Sequence, residues 1–357
     1  MEKHTYIIAE VGVNHNGSLE LAKQLIDVAV EAGVDAVKFQ TFKADKLVSK
    51  KAPKAEYQSK STDPEESQYS MLKKLELDDE AHQYLIDYCS ERNIEFLSTP
   101  FDLDSVDLLV DKYRLDTIKV SSGDLTNAPL LLKIARTGKS MILSTGMSSL
   151  IEIEQALGVV AFGYLGYDNP SLQGFKEAFY SKEGRQLLKE KVTILHCTTE
   201  YPTPFEDVNL RVMDTLKQAF GLEVGFSDHT PGIAVPIAAV ARGAVLIEKH
   251  FTLDKTLPGP DHKASLEPEE LKMMVSSIRQ VEKSVGSSIK VPVESEVKNI
   301  SVARKSILAS KQILLGDEFT EGNLTVKRPG NGVEPIKYWD LLGKKATRNY
   351  DAEELID

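Results

Sequence analysis

The fold of this chain is constrained most by a series of short apolar runs that turn polar near their carboxyl ends. Eight such runs occur, at 5–13, 35–42, 94–101, 117–122, 140–146, 192–201, 224–226 and 245–247. Buried parallel strands are normally almost continuous apolar runs. The polar residues in or directly after these runs are Glu10, Lys38, Thr99, Lys119 with Ser122, Ser144, Thr199, Asp228 with His229, and Glu248 with His250. Because they recur in step along the chain, they indicate one shared functional edge.

Helical patterns separate these runs. Stretches with helical spacing lie at 18–33, 81–92, 104–112, 128–137, 150–163, 210–220, 233–244 and 268–283. Eight strand–helix alternations over roughly 280 residues predict a (β/α)8 TIM barrel, whose active site would lie at the carboxyl ends of the strands. A doubly wound open sheet is the alternative, but it would need a glycine-rich phosphate turn after the first strand. The sequence GVNHNG found there does not match G-x-G-x-x-G.

Three segments follow from this pattern. Residues 1–283 are predicted to form the catalytic barrel, 284–297 a linker, and 298–357 a small domain of short strands and turns. A module of about 60 residues is marginally stable alone, so we expect it to pack on a barrel, either its own or that of another subunit. The long polar connection at 43–78 is predicted to be functional or mobile, and the insertion at 164–185 has no evident role.

Charge and composition exclude several classes of function. The net charge of −11, from 43 basic and 54 acidic residues, argues against nucleic acid or an anionic membrane as the main partner. Two cysteines, Cys89 and Cys197, cannot build a disulfide framework. The amino-terminal residues lack the features of a signal peptide, and no apolar stretch reaches 18 residues, so we expect a cytoplasmic protein.

The residues at the strand ends suggest two kinds of site. His229 and His250 end neighbouring strands and are flanked by Asp228 and Glu248, which is typical of a divalent metal site. Glu10, Asp228 and Glu248 would be metal ligands, residues that orient the histidines, or a base; the sequence does not separate these roles.

Lys38 and Lys119 indicate an anion site. Buried lysines are costly without an anionic partner, and hydroxyl groups lie at the neighbouring strand ends. Together these groups suit a phosphate or a carboxylate. Structural ion pairs with Glu10 and Asp124 are the alternative. Cys197 is rejected as a nucleophile paired with His196, because adjacent residues in a strand face opposite ways.

Nine motifs resemble the sialic acid synthase family. They are AEVGVNHNGS, AVKFQTF, FLSTPFD, LSTGM, EYPTPFEDVNL, GFSDHT, IEKHFTLD, GPDHKASLEP and KRPGNG, in order from about Tyr6 to the C-terminus. This resemblance implies a (β/α)8 barrel followed by an antifreeze-like SAF domain. It also implies a domain-swapped homodimer that condenses phosphoenolpyruvate with an N-acylated hexosamine.

The resemblance also assigns residues. His229 and His250 would bind the metal, most simply Mn²⁺, with Mg²⁺ or Co²⁺ as alternatives. The positions that match phosphoenolpyruvate contacts are Lys38, Thr99, Lys119, Ser122 and Ser144. Glu10 matches a catalytic carboxylate, and Asp228 and Glu248 are grouped with it. The residues assigned to the sugar are Gln40, Asp124, Thr199, Tyr201, Asp261 and Arg328.

The main functional hypothesis is an N-acetylneuraminate synthase that uses N-acetylmannosamine. The alternative is the same condensation on a 2,4-diacetamido-trideoxyhexose, which would give legionaminate or pseudaminate. Two departures from the family pattern concern the sugar contacts: Asp124 replaces a glutamate, and Thr199 replaces an asparagine found in some members. A hypothesis of a different class is a carbohydrate-binding protein with an inactive barrel.

Overall fold

A computed structural model describes residues 4–63 and 65–357. The chain divides into two compact units, the first ending at Gly286 and the second spanning Ser287–Asp357. Within the described residues, no helix combines the length and the apolar character needed to cross a bilayer. The domain limits set from the sequence, at 283 and 298, remain a prediction.

The first unit is an eight-stranded parallel barrel. Its strands are β1 (Tyr6–Gly12), β2 (Ala36–Thr41), β3 (Glu95–Pro100), β4 (Thr117–Val120), β5 (Ser140–Ser144), β6 (Val192–His196), β7 (Glu223–Asp228) and β8 (Leu246–His250). They are hydrogen bonded in the order β3-β2-β1-β8-β7-β6-β5-β4, and β3 and β4 pack side by side and nearly close the sheet. The predicted TIM barrel is confirmed.

Helices surround this sheet. Those of the first unit are α1 (Leu19–Ala32), α2 (Ala44–Leu47), α3 (Glu56–Ser61), α4 (Gln68–Leu75), α5 (Asp79–Glu91), α6 (Leu103–Asp107), α7 (Ala128–Arg136), α8 (Leu150–Tyr164), α9 (Leu172–Tyr180), α10 (Lys182–Lys191), α11 (Val212–Phe220), α12 (Ala234–Ala241) and α13 (Pro268–Val285). Single turns of 3-10 helix lie at Ser122–Asp124, Phe205–Asp207 and His262–Ala264, and a π-helical turn at Leu108–Lys112. The predicted insertion at 164–185 therefore contributes α9 and the start of α10 to the outer layer.

Helix α1 shows how local sequence fixes these elements. The Ser18 hydroxyl accepts a hydrogen bond from the Leu21 N–H at 3.3 Å and caps the first turn. Gly33, at φ 76°, adopts the left-handed conformation that ends the helix. The buried face of α1 consists of Ala22, Leu25, Ile26, Ala29 and Ala32. Both ends and the face agree with the sequence pattern.

The barrel interior has two chemically different layers. The lower layer is an apolar cluster of Ile8, Ala36, Leu97, Ile142, Leu195 and Leu246. Side chains of a strand alternate between its two faces, so the residue two positions later points the same way. Two positions beyond these residues the chain has Glu10, Lys38, Thr99, Ser144, Cys197 and Glu248. The polar layer is thus stacked directly on the apolar one.

Gly225 allows this packing in β7. A Cβ atom there would lie 2.6 Å from the Leu195 Cδ2 and 2.6 Å from the Leu246 carbonyl oxygen. Any side chain would therefore push β7 away from its neighbours. Strand β6 ends at His196, before the predicted end at 201. Beyond it the Thr198 carbonyl oxygen accepts from a side chain, His229 Nδ1, at 2.6 Å.

The second unit has its own small core. Strands β9 (Ser306–Ala309) and β10 (Leu324–Lys327) pair antiparallel. The unit also contains helices α14 (Glu294–Ala303) and α15 (Tyr338–Leu341) and a 3-10 turn at Pro335–Lys337. The core residues are Ile307, Ala309, Ile313, Phe319, Leu324, Ala346, Tyr350 and Ile356. Helix α14 overlaps the end of the predicted linker and has no buried residue.

Candidate active site

A cavity of about 360 Å³ opens at the carboxyl ends of the barrel strands. Thirteen of the sixteen residues predicted from the sequence line it. They are Glu10, Lys38, Gln40, Thr99, Lys119, Ser122, Ser144, Thr199, Tyr201, His229, Glu248, His250 and Asp261. Residues from all eight strands, or from the segments that directly follow them, thus converge on one cavity.

Asp228 does not line this cavity. Its carboxylate accepts hydrogen bonds from the Lys249 ammonium group at 2.5 Å and from the Thr230 backbone N–H at 3.0 Å. Asp228 lies between Ser227 and His229, so strand alternation turns it to the other face, where Lys249 also points. Both side chains are fully buried. The pair therefore joins β7 to β8 behind the two histidines.

Asp124 and Arg328 also lie outside the cavity lining. Asp124 accepts hydrogen bonds from the Ser121 hydroxyl at 2.9 Å and the Asn127 amide at 3.1 Å, within its own turn. Arg328 belongs to the second unit, where its exposed side chain donates a hydrogen bond from Nε to the Ala303 carbonyl at 2.9 Å. Their assignment to the sugar remains a prediction.

Two lysines and two carboxylates of opposite charge are buried side by side at the floor of the cavity. Lys38 contacts Glu10 and lies 3.6 Å from Glu248 Oε2, while Lys119 Nζ lies 3.5 Å from Glu248 Oε1. Glu248 links the two lysines, and Ser227 donates a hydrogen bond to it at 2.7 Å. The carboxylate that faces Lys119 is therefore Glu248. The alternative interpretation of the sequence, a structural ion pair, suggests Asp124 instead.

The pKa values of the two carboxyl groups in this cluster are shifted in opposite directions. Burial raises the pKa of Glu10 to about 7 even though Lys38 opposes the shift. Burial also acts against ionised Glu248, but Lys119 and Lys38 outweigh it and lower its pKa to about 2. Glu248 is therefore ionised near neutral pH, whereas Glu10 takes up a proton more readily than an ordinary glutamate. Such divergence between neighbouring carboxyls is characteristic of acid–base sites.

Hydroxyl groups complete the anion-binding side of the cavity. Lys119 donates to the Ser144 hydroxyl at 2.7 Å, and Lys38 donates to the Thr99 hydroxyl at 3.3 Å. The Ser122 hydroxyl accepts from the Gly146 N–H at 3.0 Å. A Cβ atom at Gly146 would lie 2.8 Å from this oxygen, so glycine keeps the space open. Ammonium and hydroxyl donors in this arrangement suit an oxyanion.

The imidazole rings of His229 and His250 lie together, with centroids 5.5 Å apart. His229 Nδ1 lies 2.6 Å from the Thr198 carbonyl oxygen, which requires the proton on Nδ1 and leaves Nε2 with its lone pair. His250 Nδ1 is buried and has no hydrogen-bond partner among the described residues. Burial lowers the pKa of both rings, so both are neutral at pH 7.

These two rings fit a divalent metal ion. Neutral imidazoles with available lone pairs are common ligands of such ions, and an unpaired buried nitrogen calls for a partner. The described residues contain no cluster of three or more His, Cys, Asp or Glu side chains arranged for a metal. The protein therefore offers two imidazoles, and water or substrate oxygens would complete the coordination.

Asp261 is held at the cavity by the loop after β8. The Ser265 hydroxyl donates to the Asp261 carbonyl at 2.7 Å, and the Asn14 amide donates to the same hydroxyl at 2.8 Å. The Asp261 carboxylate lies 3.8 Å from His250 Nδ1, beyond hydrogen-bond distance. Burial raises the pKa of Asp261 to about 6, although Lys38 acts in the opposite direction.

We expect the Asp261→Asn substitution to stabilise the metal-free protein in a pH-dependent manner. The pKa of about 6 exceeds the ordinary 3.8, so the wild type loses stability as pH rises between these values and keeps that loss above pH 6. The variant lacks this titration, so its free energy of unfolding relative to wild type should increase by about 3 kcal/mol as pH rises from 4 to 7. Denaturant unfolding in a chelator measures this difference. The exposed Asp168 is the control position; an equal gain in Asp168→Asn would contradict the assignment.

Several lining residues are not among those predicted from the sequence. Ser227 and Cys197 both line the cavity, and strand alternation would have found them, since they lie two positions before His229 and two after Leu195. As predicted, His196 faces away from Cys197: its Nε2 lies 2.7 Å from the Val208 carbonyl oxygen. The apolar residues that the 43–78 connection contributes had no signal beyond the length of that connection.

Proteins of one known family match this chain over most of its length. The model of the NeuB family matches residues 25–290. The chain is 54% identical over 354 residues to the N,N'-diacetyllegionaminic acid synthase of Campylobacter jejuni, covering 99% of both chains. It is 43% identical to the enzyme of the same name from Legionella pneumophila, covering 97% of this chain and 92% of that one.

A solved structure extends the comparison. The N-acetylneuraminic acid (sialic acid) synthetase of Leptospira borgpetersenii, in complex with citrate, superposes with a TM-score of 0.66 at 32% identity. The match covers 83% of this chain and 90% of that one. The chain belongs to the NeuB family and is a nonulosonate synthase that condenses phosphoenolpyruvate.

Proposed function

We propose that the protein condenses phosphoenolpyruvate with a 2,4-diacetamido-2,4,6-trideoxyhexose to give N,N'-diacetyllegionaminic acid and phosphate. On the sequence motifs alone, N-acetylneuraminate is the main hypothesis and this reaction is the alternative. The relatives named for diacetyllegionaminic acid, at 54% and 43% identity, now favour the alternative. The sialic acid synthetase of known structure is more distant, at 32%.

The observation that carries the proposal is the pairing of an anion site with an imidazole pair in one cavity. Lys38 and Lys119, with the hydroxyls of Thr99, Ser122 and Ser144, suit the phosphate and carboxylate of phosphoenolpyruvate. An electrophilic carbonyl bound beside these groups would lie within reach of the enol carbon. A carbohydrate-binding protein would have no use for such buried charges.

The histidines support a role for a divalent metal, which family membership also implies. When bound by His229 and His250, such an ion would polarise the aldehyde oxygen of the open-chain sugar. We propose Mn²⁺, with Mg²⁺ and Co²⁺ as alternatives. Near pH 7 both imidazoles are already neutral, so no proton has to leave them before an ion binds.

The residues of the chain would act on phosphoenolpyruvate as follows. The enol carbon forms a bond to the aldehyde carbon, and positive character develops at the carbon that bears the phosphate. Glu10, in its ionised form and held by Lys38, would stabilise that charge. Water adds to this carbon, and one of its protons is balanced by protonation of the former aldehyde oxygen. The C–O bond to phosphate then breaks, the second proton leaves with the phosphate, and a 2-keto group remains. Lys119 and Ser144 would hold the departing phosphate oxygens.

The assembly is proposed on the family resemblance alone. We propose a domain-swapped homodimer in which Arg328 of one chain reaches the sugar bound by its partner. Asp261, Gln40, Thr199 and Tyr201 would contact the sugar from the barrel. Thr199 Oγ1 is buried without a hydrogen-bond partner among the described residues, as expected of a group that meets a ligand.

Turnover with defined acceptors tests the proposal. Purified protein supplied with Mn²⁺ and phosphoenolpyruvate should release phosphate with the diacetamido sugar at a kcat/KM about 10-fold or more above that with N-acetylmannosamine. Mass spectrometry of the product checks the nine-carbon acid. A preference for N-acetylmannosamine would restore the first hypothesis, and absence of phosphate release with every acceptor would favour the binding-protein hypothesis.

A further inference from the structure

The cavity has a second, apolar side that the anion and metal sites do not use. It is formed by Leu47, Val48, Met71, Leu72, Leu75 and Phe101, which we call the apolar wall. Five of these residues come from α2, α4 and the residue after α2, all within the connection between β2 and α5. The long connection therefore forms part of the substrate cavity.

The apolar wall lies farther out than the charged groups. Lys38, Lys119, Glu10 and Glu248 belong to the strands themselves, whereas the wall residues follow β2 and β3 beyond their carboxyl ends. The aldehyde end of an acceptor has to reach the floor, where the new bond forms. The distal end of the same open chain would then extend outward, toward the level of the wall.

The wall is a packed surface that can hold a fixed shape. Met71 and Leu75 are buried in a cluster with Val13 and Phe42, and the rings of Phe42 and Phe101 meet edge to face at 6.1 Å. Side-chain contacts pin the two helices together: Glu76 accepts from the Ala44 N–H at 2.6 Å, and Asp45 accepts from the Tyr69 hydroxyl at 2.8 Å. Val48 and Leu72 remain partly exposed toward the cavity.

The chemistry of this surface matches one of the two acceptor classes. At the end remote from the aldehyde, N-acetylmannosamine carries hydroxyl groups, whereas a 2,4-diacetamido-2,4,6-trideoxyhexose carries a terminal methyl group and a second acetamido group, as its chemical name states. An apolar wall favours methyl groups and leaves a hydroxyl without a partner. Gln68 also lines the cavity and donates to Gln58 at 3.4 Å, so amide groups adjoin the wall.

We propose that the apolar wall determines acceptor specificity, selecting sugars with a deoxy terminal carbon and a distal acetamido methyl over hydroxylated ones. This inference rests on the proposed function and adds the residues responsible for the choice. Discrimination by an apolar surface is limited, so we expect the wall to account for about 10- to 100-fold in kcat/KM.

The test places polar groups of the same size in the wall. In Val48→Thr and Leu72→Asn, the kcat/KM ratio of the diacetamido sugar to N-acetylmannosamine should fall about 10-fold, while the KM for phosphoenolpyruvate stays unchanged. Leu72→Met should keep the wild-type ratio. Val30→Thr, at a partly exposed position on α1 outside the cavity, is the matched control.

The outcomes separate this inference from the proposed function. If the wild type prefers the diacetamido sugar but Val48→Thr and Leu72→Asn keep the wild-type kcat/KM ratio, the specificity role of the apolar wall is overturned. The proposed function then still stands. If the wild type prefers N-acetylmannosamine, both are overturned. A fall in the ratio that is equal in Val30→Thr would also contradict the wall, because that position does not touch the cavity.

Discussion

Replacing His250 by alanine is expected to lower kcat by about 10³-fold or more, because an ion that stabilises developing charge contributes several kcal/mol to the transition state. His250 is the last residue of β8, and its Nδ1 is buried without a hydrogen-bond partner among the described residues. The substitution removes one of two imidazoles and leaves a single protein ligand. Binding of Mn²⁺, followed by calorimetry or by its magnetic resonance spectrum, should weaken in parallel.

The fold should survive this change. The backbone of His250 keeps its ladder contact with Glu10, and its carbonyl accepts the Leu266 N–H at 2.9 Å. Circular dichroism should therefore match wild type. His4 provides the control, since it is an exposed histidine paired with Asp35, and His4→Ala should retain full turnover. Undiminished turnover and Mn²⁺ binding in His250→Ala would remove the metal assignment.

The Lys38→Met substitution should damage both catalysis and stability. Lys38 faces Glu10 and Glu248, and all three side chains are buried. Its removal leaves the buried Glu10 carboxylate without a compensating charge, and breaking a buried pair in this way typically costs about 3–5 kcal/mol of stability. The same change removes a donor from the proposed phosphoenolpyruvate site, so kcat/KM for that substrate should fall about 100-fold or more. Denaturant unfolding and phosphate release measure the two effects.

A second substitution separates the two effects. In Lys38→Met combined with Glu10→Gln, one unpaired carboxylate is gone, so much of the lost stability should return while activity stays low. Lys133→Met is the matched control, because Lys133 forms an exposed ion pair with Asp107 at 2.6 Å and such pairs contribute about 0–1 kcal/mol. If Lys38→Met unfolds like wild type, the buried charge cluster is not important for stability.

Much of the fold could be predicted because local signals and tertiary packing agree. Ser18 and Gly33 bound α1 as their residue types indicate, and the eight apolar runs all become strands. Helix α14 was missed because it has no buried residue and therefore no apolar periodicity. Helices α2, α3 and α4 were missed for a related reason: their few buried residues, such as Met71 and Leu75, pack on loops of the barrel.

The site was predictable where strand alternation governs it. Residues two positions beyond the apolar layer, such as Glu10, Lys38 and Glu248, had to enter the cavity once the barrel was assumed. The same rule would have turned Asp228 away, since it neighbours His229. Asp124 lies in a turn after β4, whose course no periodicity fixes. The apolar wall depends on contacts that form only in three dimensions.

The connection between β2 and α5 has a consequence for how such enzymes diversify. The groups proposed to handle phosphoenolpyruvate are scattered over many strands, whereas most of the surface proposed to meet the sugar tail comes from one uninterrupted stretch of sequence. Exchanging that stretch between relatives would retarget the enzyme in a single recombination event while the reaction itself stayed untouched. The same segment could be exchanged by design, as one unit, to change which sugar such an enzyme accepts.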